Sequence, residues 1–323
     1  MVTLLRRSLL TIVTAATLCA GAAGATEPLK VHVGIRAEFA VAAVGSVWTT
    51  NSIERRLIRI DPASNRVSAR IKLKGNYPLG ITYGAGSIWV ANRYSGSVTR
   101  VNPRTNKAAK KKIKVGFSPY ALAYGSGSIW VSNESSGTVS RINPKKNKVV
   151  KTIRVGGGPN GLVSAFGSIW VTDYRLGHVI RIDPARNKVT AKLALDHADW
   201  ITPTADALWI SSESNNVYRL DPQTLRITAT VAVGSNPLAS TLIGDELWVP
   251  NIDSNTVSVV DVRTAAVKRT IPVGQSPIAV VHEAGDAWVT SEADGDVWRL
   301  PATADRRSAG GSRGRAAAAP AAR

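Results

Sequence analysis

Apolar and polar positions alternate with a period of two along most of the chain, as strands require. Val139 with Arg141, and Val149, Lys151, Ile153 and Val155, show the pattern. The segments between them, Gly125-Ser-Gly127 and Asn143-Pro-Lys-Lys-Asn147, are turn chemistry. No stretch beyond the first 25 residues holds a 3.6-residue period for three turns, so the pattern predicts an all-β protein.

A longer period lies over the short one. Trp48, Trp89, Trp130, Trp170, Trp209, Trp248 and Trp288 recur at steps of 41, 41, 40, 39, 39 and 40 residues. Around each the same segments return, as in Gly127-Ser-Ile-Trp-Val-Ser-Asn133, Thr138-Val-Ser-Arg-Ile-Asn-Pro144 and Lys148-Val-Val-Lys-Thr-Ile-Arg-Val-Gly156. Each repeat reads as four short antiparallel strands. Repeats of this size with no helix to cover a flat sheet predict twisted blades packed around an axis, a seven-bladed β-propeller spanning residues 26–301. The seventh repeat stops after Asp296-Val-Trp-Arg-Leu-Pro301, one strand short, and Leu29-Lys-Val-His-Val-Gly34 matches Thr270-Ile-Pro-Val-Gly274. The N-terminal strand is therefore expected to complete blade seven and close the ring.

The repeat core, Trp89-Val-Ala-Asn92, Trp130-Val-Ser-Asn133, Trp170-Val-Thr-Asp173, Trp248-Val-Pro-Asn251 and Trp288-Val-Thr-Ser291, resembles the YVTN family of β-propellers. So does the accompanying Val-Gly-x-x-Pro element at Val115–Pro119, Val155–Pro159, Val233–Pro237 and Val273–Pro277. The pattern is also similar to the streptogramin B lyase group, in which a His after the loop proline and a Glu past the repeat aromatic act with Mg²⁺ to open a cyclic depsipeptide. That resemblance puts the His role at Glu38, Leu79, Tyr120, Asn160, Trp200, Leu238 and Ile278, and the Glu role at Asn51, Asn92, Asn133, Asp173, Ser212, Asn251 and Ser291. The first set has no imidazole and the second a single acid, Asp173, so the general base is missing. The expectation is an exported, non-catalytic binding or scaffold protein. Its enzymatic alternative, a streptogramin lyase-like carbon–oxygen lyase or a hydrolase, would draw on Asp173, His197 and Glu213.

Export is read from the first 25 residues: Arg6 and Arg7, an apolar run from Leu9 to Leu18, and Ala23-Gly24-Ala25 as a small-residue cleavage site form a signal peptide. A secreted or periplasmic protein with no transmembrane helix after cleavage is expected. The single cysteine, Cys19, leaves with that segment, so disulfides play no part. Residues 302–323 read as a disordered basic Ala/Gly/Arg tail. The formal charge of +19 is uneven. Between Arg100 and Arg154 thirteen basic residues face Glu134 alone, whereas Asp196 to Arg299 holds six basic and fourteen acidic residues.

The loops entering each first strand and joining the second and third strands share one face, and they vary from blade to blade, as recognition loops on a rigid scaffold do. Asn51, Asn92, Asn133, Asp173, Ser212, Asn251 and Ser291 are expected as a polar ring there, either capping their own turns or contacting a ligand together with Tyr120 and Trp200. Blade five replaces the Gly-x-x-Pro loop with Asp196-His197-Ala198-Asp199; with Glu213 on the adjoining loop these side chains are a candidate divalent-cation site, the alternative being a solvated loop. The sector from Lys107 to Lys151 is either a solvated rim or a surface for a polyanion. Nucleic acid is disfavoured, since no aromatic residue interleaves the lysines. The partner expected at the axial face is a small polar ligand, a peptide or a protein, and the closed ring is expected to be monomeric.

Overall fold

The computed structural model describes residues 29–302; the expected signal peptide and the tail beyond Ala302 lie outside the described residues. The strands form seven antiparallel sheets, and apart from two single 3₁₀ turns, Arg93–Ser95 and Glu134–Ser136, the described chain is strand and turn. Blade three is representative: Pro119–Gly125, Ser128–Asn133, Thr138–Asn143 and Lys148–Arg154 pair in chain order. In blade seven, Leu29–His32 pairs antiparallel with Asp296–Pro301, with Val31 opposite Val297, and supplies the missing fourth strand. Among the described residues no helix is long and apolar enough to cross a membrane.

Blade two departs from the pattern. Its fourth strand is cut into Lys107–Ala108 and Ile113–Lys114. Lys110, Lys111 and Lys112 lie in the gap. Three lysines in succession offer no alternate apolar face, so pairing gives way there.

The repeat tryptophans are the centre of each blade. All seven are 0–1% exposed, wedged between neighbouring sheets. In five blades the indole Nε1 donates to the carbonyl five residues earlier, as from Trp130 to Gly125 at 3.0 Å. In six an arginine lies over the ring, from 4.9 Å for Arg141 on Trp130 to 5.7 Å for Arg181 on Trp170. Several of these arginines also reach the next blade: Arg59, Arg100 and Arg141 donate to the carbonyls of Pro103, Pro144 and Pro184 at 3.2, 3.0 and 2.7 Å. Arg299 makes the same bond to Pro62 at 2.7 Å, across the seam where the last blade meets the first.

Two successive positions at the start of each first strand build the axis. Pro78, Pro119, Pro159, Ala198 and Pro277 pair with the ends of their second strands, Asn92, Asn133, Asp173, Ser212 and Ser291. The residues after them are Leu79, Tyr120, Asn160, Asp199 and Ile278, joined by Leu238 and Glu38 from blades six and one. One residue deeper stand Phe39, Gly80, Ala121, Gly161, Trp200, Ala239 and Ala279. Five of these are small because the strands converge, while Phe39 and Trp200 stack at 5.1 Å and fill the centre. A Cβ on Gly80 would fall 1.8 Å from the Tyr120 carbonyl oxygen. Gly80→Ala is therefore expected to force two blades apart at a cost of about 2–3 kcal/mol. The thermal midpoint should fall by at least about 5 °C, and an unchanged midpoint would show that the inner strands have room to shift.

Candidate functional site

Hydroxyls on the second strands fix the axial positions from the neighbouring blade. Thr50 Oγ1 donates to the Leu79 carbonyl at 2.6 Å, Ser132 Oγ to that of Asn160 at 2.6 Å, and Thr172 Oγ1 to that of Asp199 at 2.5 Å. Above this scaffold opens a cavity of about 390 Å³, lined by the axial side chains of Glu38, Leu79, Tyr120, Asp199, Leu238 and Ile278. Its upper wall comes from the loop positions Arg93, Glu213, Ile252 and Glu292, with Tyr77 and Tyr94 beside them. Phe39 forms the floor, edge-on to Tyr120 at 5.6 Å. A smaller cavity of about 160 Å³ shares Phe39 and is lined by Trp200.

Two carboxylates in this cavity are held away from bulk water. Glu38 is 3% exposed and accepts from Ser52 Oγ at 2.5 Å. Burial pushes its carboxyl up to about 7, against the lowering effect of Ser52 and of the guanidiniums of Arg36 and Arg93; Glu292 adds to the rise. Asp199 is 6% exposed and accepts from Asn160 Nδ2 at 2.8 Å. Burial pushes it up to about 6, with Glu213 and Glu134 adding repulsion. Burial also raises the Tyr120 hydroxyl well above its ordinary range, so it stays a neutral phenol. Around the mouth, Arg36 pairs with Glu292 and donates to Tyr77 at 3.1 Å. Arg93 pairs with Glu134 at 2.5 Å and lies over the Tyr120 ring at 5.3 Å. The Tyr174 hydroxyl donates to Glu213 at 2.8 Å.

The polar ring expected from sequence sits one residue off this wall. Asn51, Asn92, Asn133, Asp173, Ser212, Asn251 and Ser291 are all 0% exposed. Their side chains tie each hairpin and entering loop together. Asn51 Oδ1 accepts from the Glu54 N–H at 2.9 Å, and Asn92 Nδ2 donates to Thr99 at 3.0 Å. Asn133 Oδ1 accepts from the Gly116 N–H at 3.2 Å, and Asp173 Oδ1 from the Gly158 N–H at 2.8 Å. Ser212 donates to the Asp196 carbonyl at 3.0 Å, Asn251 to Ser258 at 2.9 Å and Ser291 to the Gln275 carbonyl at 2.8 Å. Of the two roles expected for these seven, the hydrogen bonds they make are those of turn capping. Strand alternation turns each into its own turn and leaves the next residue, Arg93, Glu134, Tyr174, Glu213, Ile252 or Glu292, to face the mouth.

Blade five differs in register from the sequence reading. Its entering loop is one residue shorter than Val-Gly-x-x-Pro, so Ala198, paired with Ser212, stands where the proline stands elsewhere. Asp199 then occupies the axial position assigned to Trp200, and Trp200 goes into the plug. Tyr120 lines the cavity where the sequence placed it.

Of the four proposed metal ligands only Asp199 and Glu213 line the cavity together. Asp199 faces the cavity, Glu213 holds the Tyr174 hydroxyl, and His197 packs beside the Tyr174 ring at 6.2 Å. Asp196 contributes its carbonyl to Ser212. Among the described residues no group of three or more His, Cys, Asp and Glu side chains is placed to hold a metal ion. The donor set of a lyase-type Mg²⁺ site is thus not assembled among the described residues, and Asp173 Oδ1 takes the backbone N–H groups of Gly158 in the entering loop and Leu176 in its own turn. Lys107, Lys110, Lys111, Lys114, Lys145, Lys146, Lys148 and Lys151 are exposed and Lys112 half-buried, on the outer strands and their turns.

Sequence reasoning missed Arg36, Glu134 and Glu292 as individual members of the mouth, and took Glu38 only as a position without a histidine. The signal was available: once the strand-end Asn is assigned to its turn, the two-residue period sends the next side chain to the opposite side.

A seven-bladed β-propeller with an acidic, aromatic-floored cavity on its axis is the class that fold and site define. No protein-family model and no curated protein matches the chain. Solved structures share its fold. A virginiamycin B lyase from Staphylococcus aureus superposes with a TM-score of 0.73 at 15% identity, covering 83% of this chain and 95% of the other. Kuenenia stuttgartiensis hydrazine synthase gives 0.72 at 14% identity, covering 88% and 99%. The WD40 propeller domain of Doa1 gives 0.72 at 13% identity, covering 84% and 96%. Enzymatic and scaffold propellers thus stand side by side among the neighbours, and at these identities the likeness is one of fold alone.

Proposed function

We propose that this chain is an exported YVTN-like propeller that works by binding, holding a small polar ligand in its axial cavity. One observation carries the reading: two carboxylates, Glu38 and Asp199, are kept nearly buried over an aromatic and aliphatic floor, in a cavity of about 390 Å³. Burying ionisable groups opposes folding, so their retention beside an open cavity favours use in recognition. Cavities of about 300–1,000 Å³ suit small molecules rather than protein partners. A thermal-shift screen of small polar compounds tests the reading. Hits are expected to raise the midpoint of the wild-type protein and to lose that effect in Leu238→Trp, which fills the cavity. Identical shifts in both proteins would place binding elsewhere and end this reading.

A catalytic reading is favoured by one feature. Glu38 and Asp199 stand in the axial ring where the resemblance to lyases puts an imidazole, and both titrate near neutrality, as a proton-transferring pair must. Turnover of virginiamycin B by the purified protein, lost in Glu38→Gln and in Asp199→Asn, would replace binding by catalysis.

A further inference from the structure

The charges in the cavity are not balanced, and the imbalance indicates what the cavity takes. Each arginine at the mouth already has a carboxylate: Arg36 has Glu292, Arg93 has Glu134, and Arg175 reaches Glu134 at 3.4 Å. Three carboxylates remain with little or no cationic partner. Asp199 has Asn160 on Oδ1, and its Oδ2 takes no hydrogen bond from the described residues although the side chain is more than nine-tenths buried and lines the cavity. Glu213 has only the Tyr174 hydroxyl. Glu38 has Ser52, with Arg36 Nε 3.9 Å away. An anionic ligand would have to break the existing Arg–Glu pairs and leave buried carboxylates behind, which is expensive. A metal ion lacks a convergent ligand set among the described residues.

We propose that the axial cavity binds a small organic cation, an amine or guanidine on a flat apolar body, with its N–H groups toward Asp199 and Glu213 and with Glu38 adding negative potential from blade one. This rests on the ligand-binding role proposed above for the same cavity. The body would lie against Tyr120, Leu238 and Ile278, with the Arg93 guanidinium already over the Tyr120 ring at 5.3 Å. A quaternary ammonium fits less well, because it would leave Asp199 Oδ2 without a donor. Around Glu38 stand Arg36, Arg93, Glu292 and Tyr77; around Asp199 stand Glu213, Glu134 and Tyr120. The carboxylates must be ionised to hold the guest, so affinity falls as the pH drops through 7 and 6, where Glu38 and Asp199 take up protons.

The test is calorimetry on the full chain with three probes of similar shape: 2-phenylethylamine, 2-phenylethanol and 3-phenylpropanoate. At pH 7.5 the amine is expected to bind at least about tenfold more tightly than the alcohol, with the acid weakest. Its affinity should fall by a similar factor at pH 5, and in Asp199→Asn and Glu213→Gln, while that of the alcohol stays within about twofold. Should Asp199→Asn lower the thermal midpoint, Glu213→Gln at its exposed position carries the comparison. Alcohol or acid binding as tightly as the amine, and lost in Leu238→Trp, would overturn the cation and leave the cavity's binding role standing. Amine binding that Leu238→Trp leaves intact would overturn both. No binding of any probe at millimolar concentration would overturn the cation, with the binding role then judged by the thermal-shift screen.

Discussion

Removing residues up to Gly34 is expected to abolish cooperative unfolding and drive the protein into aggregates. Val31 and Val33 are 6% and 0% exposed and pack with Ala37, Val47, Ile58, Ile60, Trp288 and Val297 between the last blade and the first. Without them Asp296–Pro301 becomes an open edge, with unpaired N–H and C=O groups beside bared apolar surface. The apolar loss alone is about 3–5 kcal/mol for two core valines and their contacts, a large fraction of a domain's stability. Seam contacts such as His32 to Asp296 at 2.8 Å go with it. Thermal unfolding and gel filtration read the result. Attaching Leu29–Gly34 after Ala302 is expected to restore the elution volume of the full chain and a sharp transition, because the strand needs only to reach its place in the sheet. A truncated chain that elutes like the full chain with an unchanged midpoint would show that the ring does not depend on this closure.

The second large effect is a fall in stability with rising pH between about 4 and 7. Glu38 moves from 4.5 to about 7 on folding and Asp199 from 3.8 to about 6, so the folded protein binds these protons more tightly than the unfolded chain. Stability from the neutral forms is complete below the unfolded values and is lost as pH rises through the folded ones. Each group contributes up to about 3 kcal/mol to that loss. Asp61, Asp183, Asp221 and Asp261 act in the opposite direction: N–H donors of their own turns, and for Asp61 first of all the Ser64 hydroxyl, hold them below the ordinary aspartate range. Their effect falls below about pH 4 and leaves the higher window to the cavity pair. Urea midpoints at pH 5 and pH 8 are expected to differ in the wild type and to converge in the Glu38→Gln, Asp199→Asn double variant, which gains stability at pH 8. A double variant with the wild-type pH dependence would show that other groups set it.

The same two residues show how the sequence falls short at the site. Glu38 follows an ordinary Ala37, and nothing in its local pattern separates it from a solvated loop glutamate; it lines the cavity with Phe39, Tyr77 and Tyr120, two of them a blade or more away. The sequence puts Asp199 one position out of place, because the missing loop residue in blade five shows only in the pairing of Ala198 with Ser212.

What the sequence determined by itself is everything that local period and repetition encode. The seven tryptophans, the two-residue alternation, the turn chemistry and the unfinished seventh repeat define strands, blades, their number and the closing strand, because each blade repeats the same local solution. The sequence leaves the role of the strand-end Asn, Asp and Ser residues open, since a turn cap and a ligand contact use the same side chains. Only the tertiary structure turned them into their turns and gathered Glu38, Arg93, Tyr120, Asp199, Glu213 and Glu292 around one cavity. Those residues come from five different blades and meet only because the ring closes, and no pattern along one blade carries the distances across the axis.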